Sequence, residues 1–435
     1  MSITMMGIIG FILFFILLFL NMPIGIVMAL VGFVGFSIIR GWEPGLSLVS
    51  IQAYRTGSDY ILGVIPLFIA MGFLAMRLAL STDLFYVMNK WIGHWRGGLA
   101  MASTVACTIF GAICGDAVAT AAAVGVIALP EMRKYKYADV LSTGVLASAG
   151  NLGLLIPPSL AFVIYAIITE QSIGMLFIAG IGPGLLLTVL FVITIWLWCR
   201  IRPTIATPSP SATWGERFSS LRYIVGSALV IIIVLGGIYG GIFTPTEAAA
   251  IGVFGVLLIG FIFRRLTWPA FAGGISDTAL LTGKIFILII GAMIFTRFIT
   301  VSEIPLHLSE VIAALQLPPL MILVLTLVVY IVLGFVVDII PIILITAPVL
   351  HPVLVGMGYD PIWLSVLIVM TILMGGITPP VGIVVFALSG VIKDVHIYTI
   401  FKGVFPFLGA MIICLVILIV FPQIVLFLPN LMRPG

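Results

Sequence analysis

Two aspartates stand where an acid is least expected. Asp116 lies in FGAICGDAVATAAAVG and Asp338 in GFVVDIIPIILITAP, runs with no other charge. A carboxylate at the centre of a spanning helix is disfavoured by about 2.5 to 3.5 kcal/mol on insertion scales, so each needs a cation, a proton or a hydrogen-bond donor. Two chemistries fit. The carboxylate joins free backbone carbonyls around a hard cation such as Na+, which prefers oxygen ligands, or it caps the N-terminus of a half-helix inside the protein. Near each aspartate in sequence is a double proline, Pro157-Pro158 in LIPPS and Pro379-Pro380 in ITPPVG. Proline has no amide donor and stops a helix, which leaves carbonyls unpaired at membrane depth. Such carbonyls persist where they line a cavity or hold an ion; the plainer alternative is a proline kink repaired by neighbouring groups. Thr120, Asn151, Ser159, Thr346 and Thr378 add neutral oxygens near the breaks, suited to a cation, to a substrate carboxylate or to helix–helix hydrogen bonding.

The elements that must position these residues are apolar helices. Of 435 residues, 63% are hydrophobic and 8% charged, and mean hydropathy is +1.37. That is too little charge to clothe a soluble fold, so the solvent is a lipid bilayer. A net charge of +4 then concerns membrane sidedness, and nucleic acid is a poor partner. The four cysteines have no metal-ligand spacing. His94, His307, His351 and His396 make no HExxH pair and read as ordinary polar surface. No GxxxxGK[ST] motif is present, so the chain has no P-loop for ATP. Arg297 serves either to meet an anionic substrate or to snorkel to headgroups. The N-terminal segment lacks a basic region and a cleavage site and reads as a retained helix. Ordinary spans are expected near 4–21, 24–39, 60–80, 172–198, 223–243, 246–263, 284–300 and 400–421. Amphipathic interfacial segments are expected over 81–95 and 301–316, and the midpoint linker RPTIATPSPSATWGER reads as an irregular connector rather than a packed element.

The second half repeats the first. The double prolines lie 222 residues apart, and the same offset places Pro23 on Pro245, Pro130 on Pro352, Gly153 on Gly375 and Asp116 on Asp338. Two further proline matches stand against about 0.5 expected by chance. Gly/Pro-broken apolar segments at corresponding places in two halves mark a secondary transporter. The expected fold is an all-α polytopic membrane protein of two inverted repeats. The first, 1–200, has a re-entrant hairpin over about 98–130 and a broken helix over about 138–168. A cytoplasmic linker, 201–222, leads to the second repeat, 223–435, with a hairpin over about 318–357 and a broken helix over about 361–392. With the linker inside, Arg40, Arg55, Arg297 and Arg433 are the only cations outside, so 15 of the 19 Lys and Arg residues are cytoplasmic, as the positive-inside rule asks.

FGAICGDAVATAAAVGVIALPEM, LASAGNLGLLIPPSLAFVIYAIITEQSIGMLFIAGIGPG, DIIPIILITAPVLHPV and GGITPPVGIVVF together resemble the large permease (M) subunit of TRAP transporters, the DctM-like family, across essentially the whole chain. The resemblance implies an elevator-type importer of a small organic carboxylate in the bacterial inner membrane. It implies Na+ as the coupling ion with no other cofactor, a small membrane subunit, and a soluble periplasmic substrate-binding protein. Matched residue by residue, it implies sodium binding by Gly111, Gly115, Asp116, Asn151, Pro157, Asp338, Gly376, Thr378 and Pro379. It implies substrate binding by Thr120, Gly150, Ser159, Thr346, Pro380 and Gly382. Asp116 stands where family members often carry a small hydroxyl residue, and Asn151 where many have Thr. Two other functions compete. One is a self-sufficient sodium/divalent-anion symporter of similar fold. The other is an intramembrane aspartyl protease, against which ICGD lacks the first glycine of GxGD and VVDII lacks the tyrosine of YD.

Overall fold

A computed structural model describes residues 2–20, 22–314 and 316–432; Arg433, expected outside the membrane, lies beyond them. The described residues form helices and no strands. The first half contains α1 (Ile3–Phe19), α2 (Ile24–Arg40), α3 (Trp42–Ser58), α4 (Val64–Arg77), α5 (Leu80–Ile92), α6 (Gly98–Cys114), α7 (Ala117–Lys134), α8 (Asp139–Gly150), α9 (Leu152–Leu155), α10 (Leu160–Thr169) and α11 (Ile173–Ile201). After α12 (Trp214–Ser220), the second half contains α13 (Arg222–Tyr239), α14 (Pro245–Ile262), α15 (Trp268–Val301), α16 (Ile304–Ala314), α17 (Pro319–Gly334), α18 (Ile339–Gly356), α19 (Pro361–Gly375), α20 (Ile383–Val391), α21 (Ile397–Val420) and α22 (Gln423–Met432). Six helices are long and apolar enough to cross a membrane, or up to eight if each of two bent pairs forms one span.

Displaced by 222 residues, α7 falls on α18 residue for residue, and α2, α8 and α10 start within one residue of α14, α19 and α20. The halves diverge after α3. α3 and the following segment meet at a 57° bend, whereas their counterpart α15 runs unbroken for 34 residues. Local chemistry accounts for this. Gly57, Ser58 and Asp59 interrupt the first, with the Asp59 carboxylate accepting from the Ile61 amide at 2.8 Å, while Ala279, Leu280 and Leu281 occupy the corresponding turn of α15 and favour helix. A hydropathy window overlooks α3 because Glu43, Gln52 and Arg55, spread around it, lower its average. It also places the start of α15 sixteen residues late, at 284 rather than 268.

Two bodies of packing emerge. In one, α2 lies along α15, and α4 lies between α14 and α15. Small residues let the α2 and α15 backbones touch: a Cβ added at Gly32 would sit 2.7 Å from the Phe295 Cα, and one at Gly25 would sit 2.9 Å from the Ile287 carbonyl oxygen. In the other, the halves interlock. α10 packs on the hairpin arm α18 of the opposite half, and α20 packs on α7. Each broken helix therefore braces the other repeat's hairpin.

The interfacial helix α5 is tied down by a bidentate ion pair, Asp83 with Arg265, at 2.6 and 2.9 Å. The linker is irregular as expected, but it is packed. The Ala138 amide donates to the Ile205 carbonyl at 2.9 Å and the Ser209 amide to the Gly93 carbonyl at 3.2 Å; the Thr207 hydroxyl donates to the Tyr135 carbonyl. Its small and proline residues lie close against the base of the first hairpin. Beside it, Arg133 pairs with both Asp139 and Asp394, which holds the Asp394 carboxyl below its ordinary pKa.

Candidate functional site

The site is built from two hairpin tips and two helix breaks. At the first tip, α6 ends at Cys114 and the chain turns through Gly115 at φ +66°. A side chain here is excluded twice, by the left-handed backbone and because a Cβ would meet the Pro158 carbonyl oxygen at 2.8 Å. The Gly115 carbonyl accepts from the Leu160 amide at 3.2 Å, which docks the tip on the break. Asp116 is then the N-cap of α7: its Oδ1 accepts from the Ala119 amide at 2.7 Å. Thr120 donates to the Asp116 carbonyl at 2.6 Å. Gly111 and Gly153 bring the arm and the break into backbone contact, since a Cβ at Gly111 would lie 2.5 Å from the Gly153 Cα.

The second tip repeats this plan. Asp338 caps α18, with Oδ1 accepting from the Ile339 amide at 2.7 Å. Gly334 meets Gly375 as closely as Gly111 meets Gly153, with a would-be Cβ 2.8 Å from the Gly375 Cα. The Gly376 carbonyl accepts from the Val384 amide at 3.2 Å, and Gly382 begins α20 at φ +58°. Both proline pairs are cis. The capping alternative for the aspartates is thus realised in both halves: Asp116 takes the Ala119 amide on Oδ1 with the Val118 amide also against its carboxylate, and Asp338 takes the Ile339 amide on Oδ1.

Both carboxylates line one cavity of about 50 Å³, with Leu154, Gly376 and Val384 from the two breaks. Of the residues expected to bind, Asp116, Asp338 and Gly376 meet there. Gly115, Thr120, Gly150, Pro157, Ser159, Thr378, Pro379, Pro380 and Gly382 belong to the tips and breaks but do not line it. Thr346 lies two turns along α18, its hydroxyl bonded to the Ile342 carbonyl at 2.6 Å. Ser159 caps α10 and donates to the Leu154 carbonyl. Among the described residues no group of three His, Cys, Asp or Glu side chains is placed to hold a metal ion. Cation binding here would therefore draw on these carboxylates together with carbonyl and hydroxyl oxygens.

Asn151 takes the helix–helix hydrogen-bonding alternative. Fully buried, it donates through Nδ2 to the Leu373 carbonyl at 3.0 Å. Leu373 is its own counterpart at the 222-residue offset, so the contact spans the pseudo-twofold axis and satisfies a carbonyl left open at the end of α19. Asn151→Leu is expected to cost roughly 1–3 kcal/mol by orphaning that carbonyl. Thermal unfolding of the purified variant checks this, and an unchanged midpoint would rule out the tie. His351 departs from expectation: it is 4% exposed and bonds Tyr165 through Nδ1 at 2.9 Å, between α18 and α10. The contact is not mirrored, because the corresponding positions hold Leu129 and Ala387.

The family model for the DctM component of the tripartite ATP-independent periplasmic transporter matches residues 11–424. The chain is 35% identical over 418 residues to the ectoine TRAP transporter large permease protein TeaC of Halomonas elongata, covering 95% of this chain and 97% of that protein. It is 35% identical over 383 residues to the C4-dicarboxylate TRAP transporter large permease protein DctM of Pseudomonas aeruginosa, covering 88% and 89%. It is 30% identical over 416 residues to the sialic acid TRAP transporter large permease protein SiaM of Vibrio cholerae, covering 95% and 96%. In three dimensions it shares its fold with the YdaH transporter of Alcanivorax borkumensis, at TM-score 0.64 and 15% identity, over 88% of this chain and 90% of that one.

Proposed function

The chain belongs to the DctM family of tripartite ATP-independent periplasmic transporter components, and from that premise we propose that it imports a small organic carboxylate down a sodium gradient. It is the large permease subunit of such a transporter, a multi-pass inner-membrane protein and not an enzyme. In our reading a small membrane subunit completes the assembly and a soluble periplasmic binding protein delivers the substrate. The two repeats, 1–200 and 223–435, are inverted about the midplane, and the linker is cytoplasmic. The helix interlock forms the sliding body, and the α2, α4, α14 and α15 group forms the stationary one.

The observation that carries this reading is the convergence of Asp116 and Asp338, each on a hairpin tip, upon a single cavity at two helix breaks. We assign coupling sodium to the Asp338 carboxylate with Gly376 and Thr378 oxygens, and to the corresponding carbonyls of the first tip and break, among them Gly115 and Asn151. Hard oxygen donors of this kind suit Na+. Substrate is assigned to the space between the tips, bounded by the breaks that carry Ser159 and Gly382. Sodium chloride is expected to raise the thermal unfolding midpoint of the purified chain saturably, relative to potassium chloride at equal ionic strength. Equal midpoints across the titration would contradict sodium binding.

A further inference from the structure

We propose that the transported substrate carries a positive charge beside its carboxylate, as a small zwitterion does, and that Asp116 selects for that charge. The proposal rests on the import reading above and names its substrate class. The cavity between the tips presents two carboxylates, and none of the residues lining it is Lys, Arg or His. On its other side Asp116 faces Gly72, Phe73 and Leu281, again without a cation.

A substrate anion would ordinarily be received by free amides at helix N-termini. Here that capacity is small. The Ala119 amide is bonded to Asp116 and the Ile339 amide to Asp338. Position three of α18 is Pro341, which has no amide hydrogen. That helix end therefore offers only the Ile340 amide, beside a carboxylate. A dianion entering this space meets the Asp116 carboxylate at short range and in low dielectric, and that of Asp338 as well wherever sodium does not neutralise it. A zwitterion places its cationic group against the Asp116 carboxylate and its own carboxylate toward the Ala117 amide, the one first-turn amide of α7 that Asp116 does not engage. With Asp338 neutralised by coupling sodium, Asp116 is the carboxylate left for the substrate.

The test is thermal unfolding of the purified full chain titrated with two probes, ectoine, a cyclic amidinium carboxylate, and succinate, a dianion. Each is run in sodium chloride and in potassium chloride. Ectoine is expected to raise the midpoint in sodium and succinate to leave it unchanged. Asp116→Ser keeps an N-cap oxygen for α7, so the variant folds. It is expected to weaken the ectoine effect roughly 10- to 30-fold in half-saturating concentration, with that of sodium unaltered. Stabilisation by succinate equal to that by ectoine, or by neither probe, would overturn the proposal. So would an Asp116→Ser variant that shifts sodium dependence and leaves ectoine untouched, which makes Asp116 a sodium ligand alone. Ectoine binding with no sodium effect in any condition would count against sodium coupling and leave the zwitterion assignment standing.

Discussion

Asp338→Asn is expected to lower sodium-driven uptake on the order of 100-fold while the protein still inserts and folds. The substitution keeps the side-chain volume and an Oδ1 that still caps α18 at the Ile339 amide, because asparagine caps helices as well as aspartate does. What it removes is the charge of the carboxylate on the second tip, where the described lining of the cavity has no basic group to offset it. Removing the charge from a carboxylate that holds the coupling cation is expected to cost about 3 kcal/mol, and each 1.4 kcal/mol is a factor of about ten. Initial uptake rates, normalised to the amount of protein in the membrane, give the answer. A variant with normal rate and normal sodium dependence would remove Asp338 from the coupling site.

Much of this site was legible before any coordinates. The 222-residue offset came from prolines alone, and it holds to the residue where α7 falls on α18. Helix breaks and intramembrane acids are strong signals because a bilayer tolerates neither without compensation. Three features escaped, each for a physical reason. For Asn151 the helix–helix role is open in the sequence but its partner is not; pairing each residue with its own counterpart points to Leu373. His351 looked like surface because a single histidine in an apolar run does not reveal its partner, and Tyr165 comes from the other repeat. The bend after α3 depends on Gly57, Ser58 and Asp59, a short local interruption that a window of about 19 residues averages away.

The second large effect concerns partners. In this chain α10 and α20 brace opposite hairpins, and the cavity between the tips has a volume of only about 50 Å³. Among the segments read as outer, Gly240–Thr244 and Met357–Asp360 are short turns, and the longer stretches after Arg40 and Arg297 are the helices α3 and α16. In the reading proposed above, capture falls to the separate binding protein and the small membrane subunit broadens the stationary body. The most direct measurement is accumulation of substrate by proteoliposomes under an inward sodium gradient, with the large permease, the small membrane subunit and the binding protein combined or omitted in turn. Accumulation is predicted only when all three are present and sodium is outside, and an inward potassium gradient should give none. Robust sodium-driven accumulation by this polypeptide alone would contradict the account and identify a self-sufficient symporter.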